Sequence, residues 1–199
     1  MNSRDAVWLR ISGISGILTP MVAFSLISLA IAYSPSFVWM DNALSDLGVQ
    51  EGITAPAFNY GLIISGALTL VFASGLFILL RDSMVGKIGA SIFVLNALAL
   101  AGIGVFPENV KPTHYQVSVA FFALYPISMI VICAAFLLRN KVKMGVFTFM
   151  TAAVAGAIWV AYFSTRFVSG VAIPETVSAL SASTWSVVLG YKMLEEVHE

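Results

Sequence analysis

Residues 58–80 read FNYGLIISGALTLVFASGLFILL, a run with no charged side chain. At 1.5 Å per residue an α-helix of that length covers roughly 30 Å, the thickness of a bilayer's hydrocarbon core. In lipid every backbone N–H and C=O must be satisfied within the segment or a closed barrel, and this run lacks the two-residue alternation of a barrel strand. It therefore predicts a transmembrane helix.

Five further apolar runs flank it, at about 8–33, 86–106, 115–138, 145–164 and 172–193. Across all 199 residues, 59% are hydrophobic and 10% charged, and mean hydropathy is +0.95, far from a soluble domain, in which about a quarter of residues are charged. The expectation is an all-α, polytopic transmembrane bundle of six helices forming one domain over residues 1–199. The first run, Ile11–Tyr33, is too long for a signal-peptide core and ends in no small-residue cleavage pattern, so it reads as a retained span.

Basic residues predict the orientation. In a six-span arrangement Arg4, Arg10, Arg81, Lys87, Arg139, Lys141, Lys143 and Lys192 share one side, and Lys111 and Arg166 the other. The positive-inside rule then puts both termini in the cytoplasm, in the cell membrane. The outer side carries Asp41, Asp46, Glu51, Glu108 and Glu175. Tyr33, Trp39, Tyr60, Tyr115 and Tyr162 are expected near the outer interface, Trp8 and Tyr191 near the inner one. Net charge is zero and the bases form no block, which argues against nucleic-acid binding. Cys133 is the single cysteine, so no intrachain disulfide and no thiolate metal cluster can form, and no cofactor is indicated.

Short connections predict antiparallel neighbours. Gly61 with Ser65, Gly86 with Ala90, and Ala152 with Gly156 have the four-residue spacing that lets helix backbones approach. Pro20 and Pro126 interrupt two spans and predict kinks. Asn96, in mid-span, requires a partner on another helix. No ionisable residue falls near a span centre, which disfavours a proton-coupled pump or an ion channel.

The longest connection, Ser34–Ala57, contains VWMDNALSDLGVQEG. On helical periodicity Asp41, Asn42, Ser45 and Asp46 fall on one arc and Phe37, Met40, Leu44 and Leu47 on the other, with Gly48 as a stop. This predicts a short amphipathic helix along the outer interface. Solvation and capping explain such residues as well as a site does. His114 opens the fourth span on the same side, where the helix dipole favours a neutral imidazole; His198 lies in the C-terminal tail. Arg166 is expected to pair with Glu175 or with an acid of the first loop, and Glu175 reads as a first-turn acid of the last helix.

NALSDLG, then APAFNYG at the start of span two and FP before THYQVSVAFF at span four, resemble an uncharacterised, domain-of-unknown-function family of six-span archaeal and bacterial membrane proteins. The S-D-x-G step, the F-N pair and the histidine heading a span look more distantly like the damage-regulated autophagy modulators and the GPI-anchor lipid-remodelling factor. The resemblance implies an outer polar cluster of Asn42, Ser45, Asp46 and His114 and supplies no reaction. It is also unlike the three-histidine zinc site of alkaline-ceramidase-type hydrolases.

Three readings stay open. One is an outer site that binds or remodels a polar lipid headgroup, with Asp46, His114 and Ser45 as candidate catalytic residues, Asp46 orienting His114 and His114 activating Ser45 or water. Asp41, Asn42, Glu108 and Arg166 are candidate binding residues, no metal is expected, and membrane lipids are the expected partners. The second is a non-enzymatic scaffold, lipid sensor or partner subunit, and the third a transporter of a small neutral or lipidic molecule. The sequence leaves open both catalysis and association into a homo-oligomer.

Overall fold

In the computed structural model, which describes residues 2–197, the chain is all-helical among those residues. Six long helices follow one another: α1 (Ser3–Ala32), α2 (Thr54–Leu79), α3 (Met84–Val105), α4 (Thr113–Leu138), α5 (Val142–Thr165) and α6 (Ala172–Glu195). Each apolar run forms one of them, extended at one or both ends by up to five residues. His198 lies outside the described residues. Helices α1 to α5 are long and apolar enough to cross a membrane. This is an integral membrane protein.

Each helix packs on its neighbours in sequence, and α6 closes the circle against α1. On its first helix the ring turns mostly small side chains inward and large ones outward. In α1, for example, Ser12, Gly13, Ser15, Gly16 and Pro20 are buried, whereas Ile11, Ile14, Leu18 and Met21 are exposed. Lipid tails offer no hydrophobic drive to association, so close backbone approach and interhelical hydrogen bonds must supply it. A Cβ on Gly13 would meet the Gly190 carbonyl at 2.7 Å, and one on Gly190 the Gly13 carbonyl at 2.6 Å, which fixes where α1 and α6 cross.

Both helix prolines lie where the ring is hollow. Pro20 removes the helical donor to the Gly16 carbonyl four residues back, and the Ser186 hydroxyl of α6 donates to that carbonyl instead at 3.1 Å. Asn96 finds the partner expected of it, its amide donating to the Phe121 carbonyl of α4 at 2.6 Å. Halfway down, Phe72, Phe93 and Trp185 meet edge to face at 5.2 to 5.9 Å between centroids and fill the middle of the ring. Below them the core extends through Leu76, Met129, Ile132 and Met193.

The two ends differ in charge. Four ion pairs, Arg81–Asp5, Arg139–Asp82, Lys141–Glu196 and Lys192–Glu195, all lie at the end that carries the chain's first and last described turns. The opposite, acidic end is capped by the connection between α1 and α2. Turns through residue 41 lead there into a 3-10 helix, Leu44–Val49, later in the chain than the amphipathic helix expected. It is also less interfacial than expected: Leu44, Ser45, Leu47 and Gly48 are buried, packed with Ile27, Ala57, Phe58 and Ala172 as a plug in the mouth of the ring. Gly48 lies inside this helix and does not stop it. A Cβ there would meet Asn59 Oδ1 at 2.6 Å, because the Asn59 amide donates to the Gly48 carbonyl at 2.9 Å.

Candidate functional site

The plug is tied down at several points. Gly170 N–H donates to the Met40 carbonyl at 2.8 Å, and Val171 and Ala172 N–H to the Asn42 carbonyl at 3.1 and 2.9 Å. Three of the four polar residues on the expected arc serve this knitting. Asp41 accepts from the Ser169 hydroxyl. Asn42 accepts from Val38 N–H at 2.8 Å and donates to Asp46 Oδ2 at 2.6 Å, which also accepts from Ala43 N–H at 3.0 Å. An Asx side chain that satisfies backbone donors near a helix start is performing a capping role. Asp41, Asn42 and Asp46 thus hold the loop, and none of them lines either of the two hollows that lie beneath it.

Ser45 is the exception. It is buried and borders two hollows. The larger, about 740 Å3, lies between α4, α5, the start of α6 and the plug. Its polar wall carries Ser45, Glu108, Lys111, His114, Arg166 and Glu175; its apolar wall runs down α4 and α5 through Val119, Phe122, Pro126, Gly156 and Trp159. Tyr115, Val119 and Phe163, also in the lining, are exposed, so the hollow opens between α4 and α5. The smaller, about 110 Å3, lies inside the ring above the aromatic triad, beside Pro20, Phe93 and Asn96. The two share Ser45, Ser118, Phe122 and Glu175 as a common wall.

The structure corrects several sequence expectations here. The relay from Asp46 through His114 to Ser45 is not made. Buried His114 points Nδ1 at the Phe106 carbonyl, 2.7 Å away. A carbonyl only accepts, so Nδ1 carries a proton, and in the neutral ring Nε2 is then the acceptor. The Ser118 hydroxyl, one helical turn on, lies 3.3 Å from Nε2. Arg166 makes no ion pair among the described residues; it ends α5 in a left-handed conformation, φ 50°, and lays its guanidinium over Tyr162 and Phe163, 4.9 and 5.4 Å from the ring centroids. Tyr162, in the last turn of α5, is buried. Gly156 is no packing contact, since a Cβ there would meet nothing within 4 Å.

Glu175 carries more than its first-turn position suggests. It is buried, and its Oε2 accepts from Leu44 N–H of the plug at 2.7 Å. Its sequence signal was the face it begins, since Glu175, Ser178, Ala182 and Ser186 recur three or four residues apart. Lys111, Ser118 and Trp159, which no motif or spacing marks as site residues, also line the hollow. Lys111 and Arg166 are nonetheless the only bases the charge pattern assigns to this end. Trp159 Nε1 is a buried donor without an acceptor among the described residues. Glu108 lies half-buried beside Asp46; burial and a hydrogen bond with that carboxylate hold its carboxyl above the ordinary glutamate range, against a smaller opposing pull from Lys111.

Residues 17–192 match the family described as "Protein of unknown function (DUF998)". The chain belongs to that family. The match covers α2 to α5 entirely and α1 and α6 in most of their length, so this family's defining region includes both walls of the hollow. No curated protein and no solved structure matches the chain. The distant likeness to the autophagy modulators and the GPI-anchor factor therefore finds no support.

Proposed function

We propose that this member of the family is a six-span protein of the cytoplasmic membrane, with both termini cytoplasmic, that binds an amphipathic lipid by its polar headgroup at the outer face. The observation that carries the reading is the larger hollow, with its two unlike walls. Its polar wall is at the acidic end, and its apolar wall descends between α4 and α5, where the hollow opens toward the region lipid occupies. Ligand sites typically combine such apolar lining with a few convergent polar groups. Lys111 and Arg166 both border it, which suits an anionic oxygen of the headgroup, with the arginine fork able to hold it at two points.

Helix α6 supports the six-span arrangement by its packing between α5 and α1. It has the same length as α5, 24 residues. It is less apolar because its ring-facing side carries Ser178, Ser181 and Ser186, buried rather than lipid-facing.

Gly156→Leu tests the binding reading. The added Cβ has open space, so the helix should form normally, while the rest of the side chain enters the apolar wall. Purified in detergent, the native protein should melt higher when lipid is added and the variant should not respond. An equal response from both would overturn this site as the lipid's place.

A further inference from the structure

The hollow holds an arrangement that the lipid-binding reading does not use. Ser118 and His114 are one turn apart on α4 and both border it. The hydroxyl lies 3.3 Å from Nε2, and Nδ1 is fixed at 2.7 Å by the Phe106 carbonyl just before the loop. A hydroxyl, a base within reach of it and a third group that sets the base's tautomer form the recurrent pattern of nucleophilic catalysis. The backbone carbonyl here occupies the place of the usual carboxylate.

The surroundings suit an ester. Trp159 Nε1, in the same wall, is a donor without an acceptor among the described residues. Such a buried N–H costs free energy until an oxygen reaches it, and a carbonyl or phosphoryl oxygen of a bound ligand is one group that could supply that acceptor. Ser118 also faces the inner hollow, so the hydroxyl lies at the junction of the two spaces.

We propose that Ser118 is a nucleophile, with His114 as its base, for hydrolysis or transfer at the acyl ester of the bound amphiphile; this rests on the lipid-binding reading above. His114 Nε2 takes the Ser118 proton as Oγ bonds to the ester carbonyl carbon. The carbon–alkoxide bond then breaks, and the imidazolium returns that proton to the departing alkoxide, leaving an acyl-serine and a free alcohol. Water, or the hydroxyl of a second lipid, loses its proton to Nε2 and attacks the acyl carbonyl. The bond to Oγ breaks, and the proton passes back to Ser118. With water the sum is ester plus water to acid plus alcohol.

The test uses the full chain in detergent and a long-chain alkyl fluorophosphonate, read by intact mass and peptide mapping. The expected result is one phosphonyl adduct on Ser118, absent from Ser118→Ala and formed about a hundredfold more slowly or worse in His114→Gln, in line with the contribution of a positioned base. Ser118→Thr keeps a hydroxyl and serves as the folded control if the alanine variant does not fold; it should label slowly. No adduct, an adduct elsewhere, or an unchanged rate in His114→Gln overturns the proposal and leaves the pair as a helix contact. Lipid-induced stabilisation of the native protein in the same preparation would show that the binding reading survives that failure. Loss of both would remove both.

Discussion

The Leu44 amide donates to Glu175 Oε2 at 2.7 Å, joining groups 131 positions apart in the chain. This bond connects the plug in the mouth of the ring to the first turn of its last helix, and it does so in the wall that both hollows share. Closing the ring at α6 and sealing its acidic end are therefore coupled.

Glu175→Ala should accordingly lower stability by about 1–3 kcal/mol, the cost of leaving a buried N–H without an acceptor. Glu175→Gln keeps a side-chain oxygen and should cost less. Thermal melts of the two variants in one detergent check the ordering, and equal losses would show that the acceptor is not what matters.

Glu108 supplies a pH dependence. Its carboxyl binds its proton more tightly in the folded protein than at the ordinary value of 4.5. Its contribution to stability is thus fully present below that value and is lost as pH rises through the higher folded one. The native protein should lose melting temperature relative to Glu108→Gln as pH is raised from about 4.5 toward neutrality. A difference between the two that does not change with pH would contradict this.

Ser186→Ala removes the donor that occupies the gap left by Pro20 at the Gly16 carbonyl. Interhelical hydrogen bonds in membranes average about 0.6 kcal/mol and reach about 1.7. A loss in that range is expected. Replacing Pro20 with alanine as well restores the helical donor, so the double variant should lose less than the two single effects combined. A double-variant cycle measured by thermal melting checks it, and strict additivity would refute the coupling.

Lys111→Gln and Arg166→Gln should each weaken binding of a phosphate-bearing lipid, the arginine more, because a point charge replaces less of the headgroup geometry than a planar fork does. A lipid of the same chains with no charge on its headgroup should be unaffected by either change. Titrating both lipids against the native protein and the two variants decides it, and an equal loss for both lipids would mean that the two bases act through the fold.

Much of the architecture was legible in the sequence because in lipid the backbone constraint is local. A run such as residues 58–80 must satisfy its own hydrogen bonds, so length and apolarity alone mark a helix, and α2 begins and ends within four residues of that run. Asn96 was readable for a related reason: an amide in mid-span has to find a partner, though not a named one. Pro20 and Pro126 announced where helical bonding would be interrupted, and each borders a hollow.

The site was less legible, since the polar residues that stand out in a sequence are those that crowd together along it. Asp41, Asn42 and Asp46 crowd because they bond to each other and to nearby backbone, which is a local matter. Glu175 stands alone in the sequence and joins Lys111, His114 and Ser118 around one hollow only when α6 comes beneath the plug. What residue order by itself determined is the set of helices and the charge difference between their ends, both of which follow from short-range chemistry. Which acid is buried and where the ring is hollow were decided by tertiary packing, because each depends on groups brought together from distant positions in the chain, whereas the contact of His114 with Ser118 is one helical turn of α4.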